Sequence, residues 1–477
     1  MNQRGVPAAT GRVQPARRIA LEVISAVRES DAYANLLLPV KLERAKLSSQ
    51  DAAFATELSY GTLRGQGYYD AVIEIAAGRS ARDIDAPILD VLRLGAHQLL
   101  SMRVASHAAV DESVSLAREV GSRSASGFVN AVLRTIARSE VEEWHHRVLS
   151  SVQSEDERLS LEYSHPLWVV RAFRQSLAAE GREDELVALL EADNVAPRVN
   201  LVALPGLASV DELDGVHSAN FSPVGAISDG GDPARSSAVR EGRARVQDEG
   251  SQLAALALSR ARPIVPGERW LDLCAGPGGK AALLAAEAIA GGATLVANEV
   301  APARAELVRK ALSAFSDPPQ VLVQDGTGFG DRLPGQFDRI LLDAPCTGLG
   351  ALRRRPEARW RKRPNDVAEL SLLQGALLRS ALKAVKPGGI LAYVTCSPHP
   401  GETRAIIAGL LSEAGGELAQ LDTGAVLAAV TTHPLDLGEN TGQVQLWPHR
   451  HGTDAMFICL LQKSLPHEGA VPAVTHR

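Results

Sequence analysis

Two cysteines in this chain close strand-like apolar runs: Cys346 in Leu342-Asp343-Ala344-Pro345-Cys346, and Cys396 in Tyr393-Val394-Thr395-Cys396-Ser397. A thiolate is a strong, polarisable nucleophile that can also leave again. Those two properties suit methylation of carbon 5 of a cytosine, which accepts a methyl group only after a nucleophile has added to carbon 6. Asp343, beside the first thiol, is placed to hydrogen-bond the ring nitrogen, stabilise the adduct and act as a base. A lone strand-end cysteine is ordinarily a buried core thiol, and Cys274 and Cys459 fit that description. Two such cysteines, preceded by Pro and Thr and with an acid nearby, point instead to chemistry.

A third strand-like run leads into the turn Cys274-Ala275-Gly276-Pro277-Gly278-Gly279-Lys280. Glycines there let backbone approach a ligand closely, at the sheet edge where nucleotides bind. Glu299 ends the next strand about 20 residues on, the spacing at which an acid meets ribose hydroxyls. Asp325 and Asp343 end the two strands after that. The turn lacks the GxxxxGK[ST] spacing of a phosphate loop and departs from GxGxxG, which disfavours ATP and NAD. S-adenosylmethionine, an adenosine ligand without phosphates, fits Cys274 to Lys280, Glu299, Asp325 and Asp343.

These groups meet only if the strands run parallel. From Val246 to about Lys463, apolar strands alternate with helix-length segments, as in a Rossmann-like sheet covered on both faces. Before it, residues 17–140 repeat apolar positions at spacings of three and four, as in an all-α domain. Residues 141–245 change texture, with an acidic helix near Glu140 to Glu155 and then Pro, Gly and Ser among short alternating runs, and read as a linker and small α/β domain. Residues 1–16 read as a flexible basic tail and 464–477 as a C-terminal tail.

The 477 residues carry a net charge of −6, 45% hydrophobic and 22% charged residues, the profile of a soluble multidomain protein. No run is apolar enough for a membrane span, and the four cysteines lack the spacing of a disulfide framework or metal site. A cytoplasmic monomer is expected. Basic residues cluster despite the acidic total: Arg353 to Arg363 holds six arginines and Lys362 against Glu357. Arg353, Arg354, Arg355, Arg359 and Arg361 can grip phosphates while Trp360 offers a stacking face for RNA. Solvated surface for the run and plain packing for Trp360 are the competing readings.

Together, CAGPGGK, DAPC and TCS in this order resemble the RsmB/NOP (Sun) family of RNA cytosine-5 methyltransferases. The resemblance implies that Cys396 is the nucleophile and that Cys346 helps release the product. Glu299 stands where relatives often have Asp. Glu57 to Gly61, Ala108 to Glu112 and Gly127 to Arg134 resemble the NusB fold, which binds RNA. A NusB-like module fused to this catalytic domain is similar to the bacterial enzymes that act on 16S ribosomal RNA, which makes 16S rRNA or a small-subunit precursor the expected partner. The same chemistry on tRNA or another RNA, a non-catalytic NusB-like RNA-binding assembly factor, and a protein or small-molecule methyltransferase are the alternatives.

Overall fold

The computed structural model describes residues 13–465 except Asp31 and Ser151. Residues 1–12 of the expected basic tail and the chain beyond Leu465 lie outside the described residues, whereas the end of that tail is corrected: Val13 and Ala16 are buried and a helix begins at Pro15. The chain divides into two units, the first made of residues up to Arg171 together with Asp193–Val195 and Leu352–Arg361.

The first unit is all helical. It opens with Pro15–Glu29, where Pro15 takes the first turn, a position whose N–H needs no helical partner. Ala16, Ile19, Ala20, Val23, Ile24 and Val27 form a buried stripe at spacings of three and four. Helices Ser49–Arg64, Gln66–Ala77, Ala86–Leu100, Ser106–Val120 and Arg123–Ile136 follow. Helix Ala86–Leu100 lies at the centre, with Val91, Leu92, Leu94 and Ala96 fully buried. The compact unit runs on past residue 140. Two helices, Val141–Leu149 and Glu155–Glu162, continue the first unit. Trp144 is the reason: its ring is fully buried and its Nε1 donates to the Ile136 carbonyl at 2.9 Å.

The second unit begins at Ala172 with helical chain and contains a small sheet of β1 (Asn200–Ala203), β2 (Val216–Ser218), β3 (Gly225–Ser228) and β4 (Ala244–Val246), in the order β2-β3-β1-β4 and wholly antiparallel. The larger sheet contains β5 (Arg269–Asp272), β6 (Thr294–Asn298), β7 (Gln320–Leu322), β8 (Phe337–Asp343), β9 (Val385–Thr395), β10 (Leu418–Gln420), β11 (Gln443–Gln445) and β12 (Phe457–Lys463). Its order is β10-β12-β9-β8-β5-β6-β7, with β11 also paired to β12. Strands β5 to β9 pair in parallel. Against the expectation of a uniformly parallel sheet, β12 runs antiparallel to β9, β10 and β11. A doubly buried strand reads as the same apolar run in either direction, so its sense leaves no mark in the sequence.

The parallel run matters for function. Helices such as Gly279–Ala290 and Pro364–Ala384 connect the strands, so the carboxyl ends of β5, β6, β8 and β9 come to one edge. Asp272, Asn298, Asp343 and Thr395 end those four strands. Among the described residues, no helix is long and apolar enough to cross a membrane.

Candidate active site

The turn after β5 is shaped by positive backbone angles, φ +56° at Gly276 and +91° at Gly278. A Cβ on Gly278 would stand 2.5 Å from that of Ala311, so helix Pro302–Leu312 packs flush against the turn. Glu299, just past β6, is buried and braces the same turn. Its Oε2 accepts from the Gly276 N–H at 3.0 Å and its Oε1 from the Ala301 N–H at 3.1 Å. Each carboxylate oxygen keeps a further lone pair, enough for ribose hydroxyls. Asp325 is exposed, and its Oδ1 accepts from both the N–H and the hydroxyl of Thr327, which lowers its pKa.

Two buried groups test the fit of S-adenosylmethionine. Gln247, 7% exposed, has both side-chain amide atoms buried without a hydrogen-bond partner. A Cβ on Gly279 would touch that amide at 3.8 Å. Gly279 starts helix Gly279–Ala290, whose N-cap, Gly278, has no side chain to satisfy the first-turn N–H groups. An orphaned amide beside a bare helix N-terminus suits a carboxylate such as that of the cofactor's methionyl end. Asp272 lies fully buried, and burial followed by the charge of Asp343 pushes its pKa up to about 8. Cys459 is a buried core thiol and Cys274 is half-buried against the same core; burial is the chief cause that raises the pKa of each, Cys459 to about 12.

Asp343 and the two thiols stand at the ends of adjacent strands. Lys280 Nζ donates to Asp343 Oδ2 at 2.8 Å. Burial would lower the pKa of Lys280, yet the charge of Asp343 and its hydrogen bond, then Cys396, carry it above the ordinary lysine value. The sulfurs of Cys346 and Cys396 are 3.4 Å apart. The pKa of Cys346 is raised well above that of a free thiol, first by its hydrogen bond to Cys396 and then by burial. Cys346 therefore stays protonated at neutral pH, the Lys280 ammonium acts on Cys396, and either sulfur can donate in the bond they share. A neutral S–H held this close to a second sulfur can hydrogen-bond that sulfur whenever it carries charge.

Backbone fixes both loops. The Gly350 N–H donates to the Cys396 carbonyl at 2.8 Å, and the Gly350 carbonyl accepts from Ala455 N–H at 2.8 Å. A Cβ on Gly350 would collide with the Ala455 carbonyl. Buried Glu402 accepts from Thr347, Ser397 and Gln374. Neither Glu402 nor Gln247 was expected from sequence. The only sequence signal for Glu402 is an acid six residues beyond Cys396, and Gln247 stands far from the glycine turn in the chain.

The arginine run is a correction. Arg359 is fully buried in the first unit, with Nη1 donating to the Arg64 and Ser164 carbonyls and Asn194 Oδ1 at 3.2, 3.1 and 2.8 Å, and Nη2 to the Asp193 carbonyl at 2.8 Å. Burial brings its pKa down to about 10, so it stays charged at neutral pH. Arg361 donates to the Val27 and Ala32 carbonyls, Trp360 packs on Gly67, and Arg353 is buried. The guanidiniums of Arg359 and Arg361 are taken up by carbonyls of the unit, and the buried Arg359 in particular is not available to a phosphate. Arg354 is half-buried, and Arg355 is exposed over the Tyr33 ring.

Residues 262–462 match the family described as 16S rRNA methyltransferase RsmB/F, and residues 14–138 match the NusB family. A putative methyltransferase of Mycobacterium tuberculosis is 46% identical, covering 94% of this chain and 97% of its own length. The ribosomal RNA small subunit methyltransferase B of Klebsiella pneumoniae is 30% identical over 83% of this chain and 89% of its own. The solved structure of the protein PH0851 superposes with a TM-score of 0.76 at 25% identity, covering 95% of this chain and all of that one.

Proposed function

From the premise that the chain belongs to the 16S rRNA methyltransferase RsmB/F family, and is thus an S-adenosylmethionine-dependent RNA methyltransferase, we propose that it methylates carbon 5 of a cytosine in 16S rRNA through a covalent Cys396 adduct. The observation that carries this reading is the 3.4 Å approach of Cys346 and Cys396 beside the Lys280–Asp343 pair.

In this mechanism the Cys396 thiolate adds to carbon 6, and the electron pair of the 5,6 double bond becomes available at carbon 5. The Lys280 ammonium, held in place by Asp343, donates to the ring nitrogen and offsets the negative charge that develops there. Cys274 to Lys280, Glu299, Asp325, Asp343 and Gln247 would hold the cofactor, whose sulfonium would give its methyl group to the electron pair at carbon 5 and leave as the neutral thioether. Asp343 then takes the carbon 5 proton, the 5,6 double bond re-forms, and the Cys396–carbon 6 bond breaks with its electrons returning to sulfur. Cys346 donates its S–H to the departing thiolate and so speeds release. A base inside a duplex cannot be reached this way, so the substrate is unpaired or flipped-out RNA, in rRNA or a small-subunit precursor. Arg354 and Arg355 are proposed contacts to its phosphates. The enzyme works as a cytoplasmic monomer and the chemistry uses no metal.

The test is trapping. Cys346→Ala accumulates a protein–RNA adduct that survives denaturation, and Cys396→Ala forms none. The reverse pattern would overturn the assignment of the two thiols. Mapping of 5-methylcytidine with and without the gene checks the substrate, because an unchanged small-subunit rRNA removes the ribosomal claim.

A further inference from the structure

Glu402 closes the short turn Pro400–Glu402 and is fully buried. Its Oε1 accepts from the Thr347 N–H at 2.8 Å and Gln374 Nε2 at 3.2 Å. Its Oε2 accepts from the Thr347 hydroxyl at 2.5 Å and the Ser397 hydroxyl at 2.6 Å. Thr347 follows Cys346 in the chain and Ser397 follows Cys396, so one carboxylate grips the residue after each thiol. Gln374, on helix Pro364–Ala384, also donates to the Pro345 carbonyl at 2.8 Å. The peptide carbonyl of Glu402 in turn accepts from the Tyr393 hydroxyl at 2.7 Å. Four charge-assisted or buried bonds on one side chain fix two loops more stiffly than backbone contacts alone, because each loses its full value if the carboxylate goes.

We propose that Glu402 is the positioning residue that sets the two thiols against each other and decides that Cys396, not Cys346, is the ionised one. The inference rests on the cysteine mechanism above and adds the reason for its polarity. The charged and titratable groups around the thiols are Lys280 and Asp343 at the ends of the Gly279 helix and β8, Tyr393 on β9, and His399 and Glu402 after it. His399 is held neutral, since burial lowers its pKa and its Nδ1 accepts from the Gly401 N–H at 3.0 Å. The negative charge of Glu402 acts on Cys346, while the ammonium of Lys280 acts with Cys396. Opposite charges flanking the pair hold the single shared proton on Cys346, as Cys346–S–H donating to the Cys396 sulfur. The carboxylate binds the residue after each thiol, touches neither substrate nor cofactor, and acts through the loops and through its field.

Site-resolved alkylation tests this without RNA. The full-length protein is treated with limiting iodoacetamide between pH 6 and 9, and modification of Cys346 and Cys396 is read by mass spectrometry. In the unaltered enzyme Cys396 reacts first. Glu402→Gln keeps the shape and removes the charge, and it lowers the Cys396 to Cys346 rate ratio at least tenfold with a shift in its pH profile. Ser397→Ala, which removes one ligand and leaves the charge, changes the ratio less than threefold. A ratio in Glu402→Gln within twofold of the unaltered enzyme rejects the proposal, whatever happens to its melting temperature. A parallel trap with 5-fluorocytidine-containing RNA separates the two ideas: no adduct on Cys396 in the unaltered enzyme sinks the cysteine mechanism, whereas an adduct there with an unmoved alkylation ratio sinks only the role of Glu402.

Discussion

Arg359→Ala separates a structural guanidinium from an RNA-binding one. The substitution removes donors from three buried backbone carbonyls and the Asn194 amide oxygen. An acceptor left buried without a donor costs about 1–3 kcal/mol, and losing one partner of a buried charged network costs about 3–5 kcal/mol after relaxation. Summing all four acceptors would overcount because the cavity lets water in, so the expected loss is about 3–5 kcal/mol, confined to the first unit. Arg359→Lys recovers part of it, because one ammonium cannot fan out to four acceptors. A chain of two units unfolds in more than one step, so global melting blurs the effect. Hydrogen exchange in helices Ser49–Arg64 and Glu155–Glu162 reads it locally, as a matching fall in protection. A phosphate contact behaves otherwise: RNA affinity drops, the slope of log affinity against log salt shrinks by about one, and protection stays put. That second pattern, or a stability loss under about 1 kcal/mol, refutes the packing role.

Two further outcomes follow from buried polar groups near the glycine turn. Asp272 has a folded pKa raised to about 8 from an ordinary carboxyl value of 3.8, so its contribution to stability is full below about pH 4 and is lost as pH climbs through 8. Asp272→Asn should therefore flatten the fall in melting temperature of the cofactor-free protein between pH 6 and 9, an effect of order a few kcal/mol, and parallel melting curves for the two proteins would contradict it. Gln247→Ala should weaken S-adenosylmethionine binding about tenfold by calorimetry, or about 1.4 kcal/mol; an unchanged Kd means that water, not the cofactor, satisfies the amide.

The sequence made the catalytic sheet legible because its signals are local. A glycine turn after an apolar run, acids at successive strand ends and two cysteines before loops each declare a position within a few residues. The helical unit was equally plain in the three-and-four spacing of Ile19, Val23 and Val27. What escaped were groups defined by distant partners. Glu402 gains its meaning only when Thr347 and Ser397, fifty residues apart, are brought together. Gln247 meets the turn across more than thirty residues of chain. The arginine run misled for a related reason: charge density marks phosphate sites and buried guanidinium networks alike, and only the carbonyls around Arg359 distinguish them. The reversed sense of β12 was invisible because pairing direction depends on the neighbour, not on the run itself.

The split composition of the first unit also bears on how the protein is made. Residues 352–361 complete a helical body whose other main part ends at Arg171, so its last stabilising side chains leave the ribosome only after some 180 further residues have been added. At roughly 5–20 residues per second that interval is about 10–40 s. During it the carbonyls of Arg64, Ser164 and Asp193 lack their guanidinium, and the nascent helices must persist as a partly finished body. Maturation of the amino-terminal half is thereby tied to synthesis of the segment that begins six residues after Cys346.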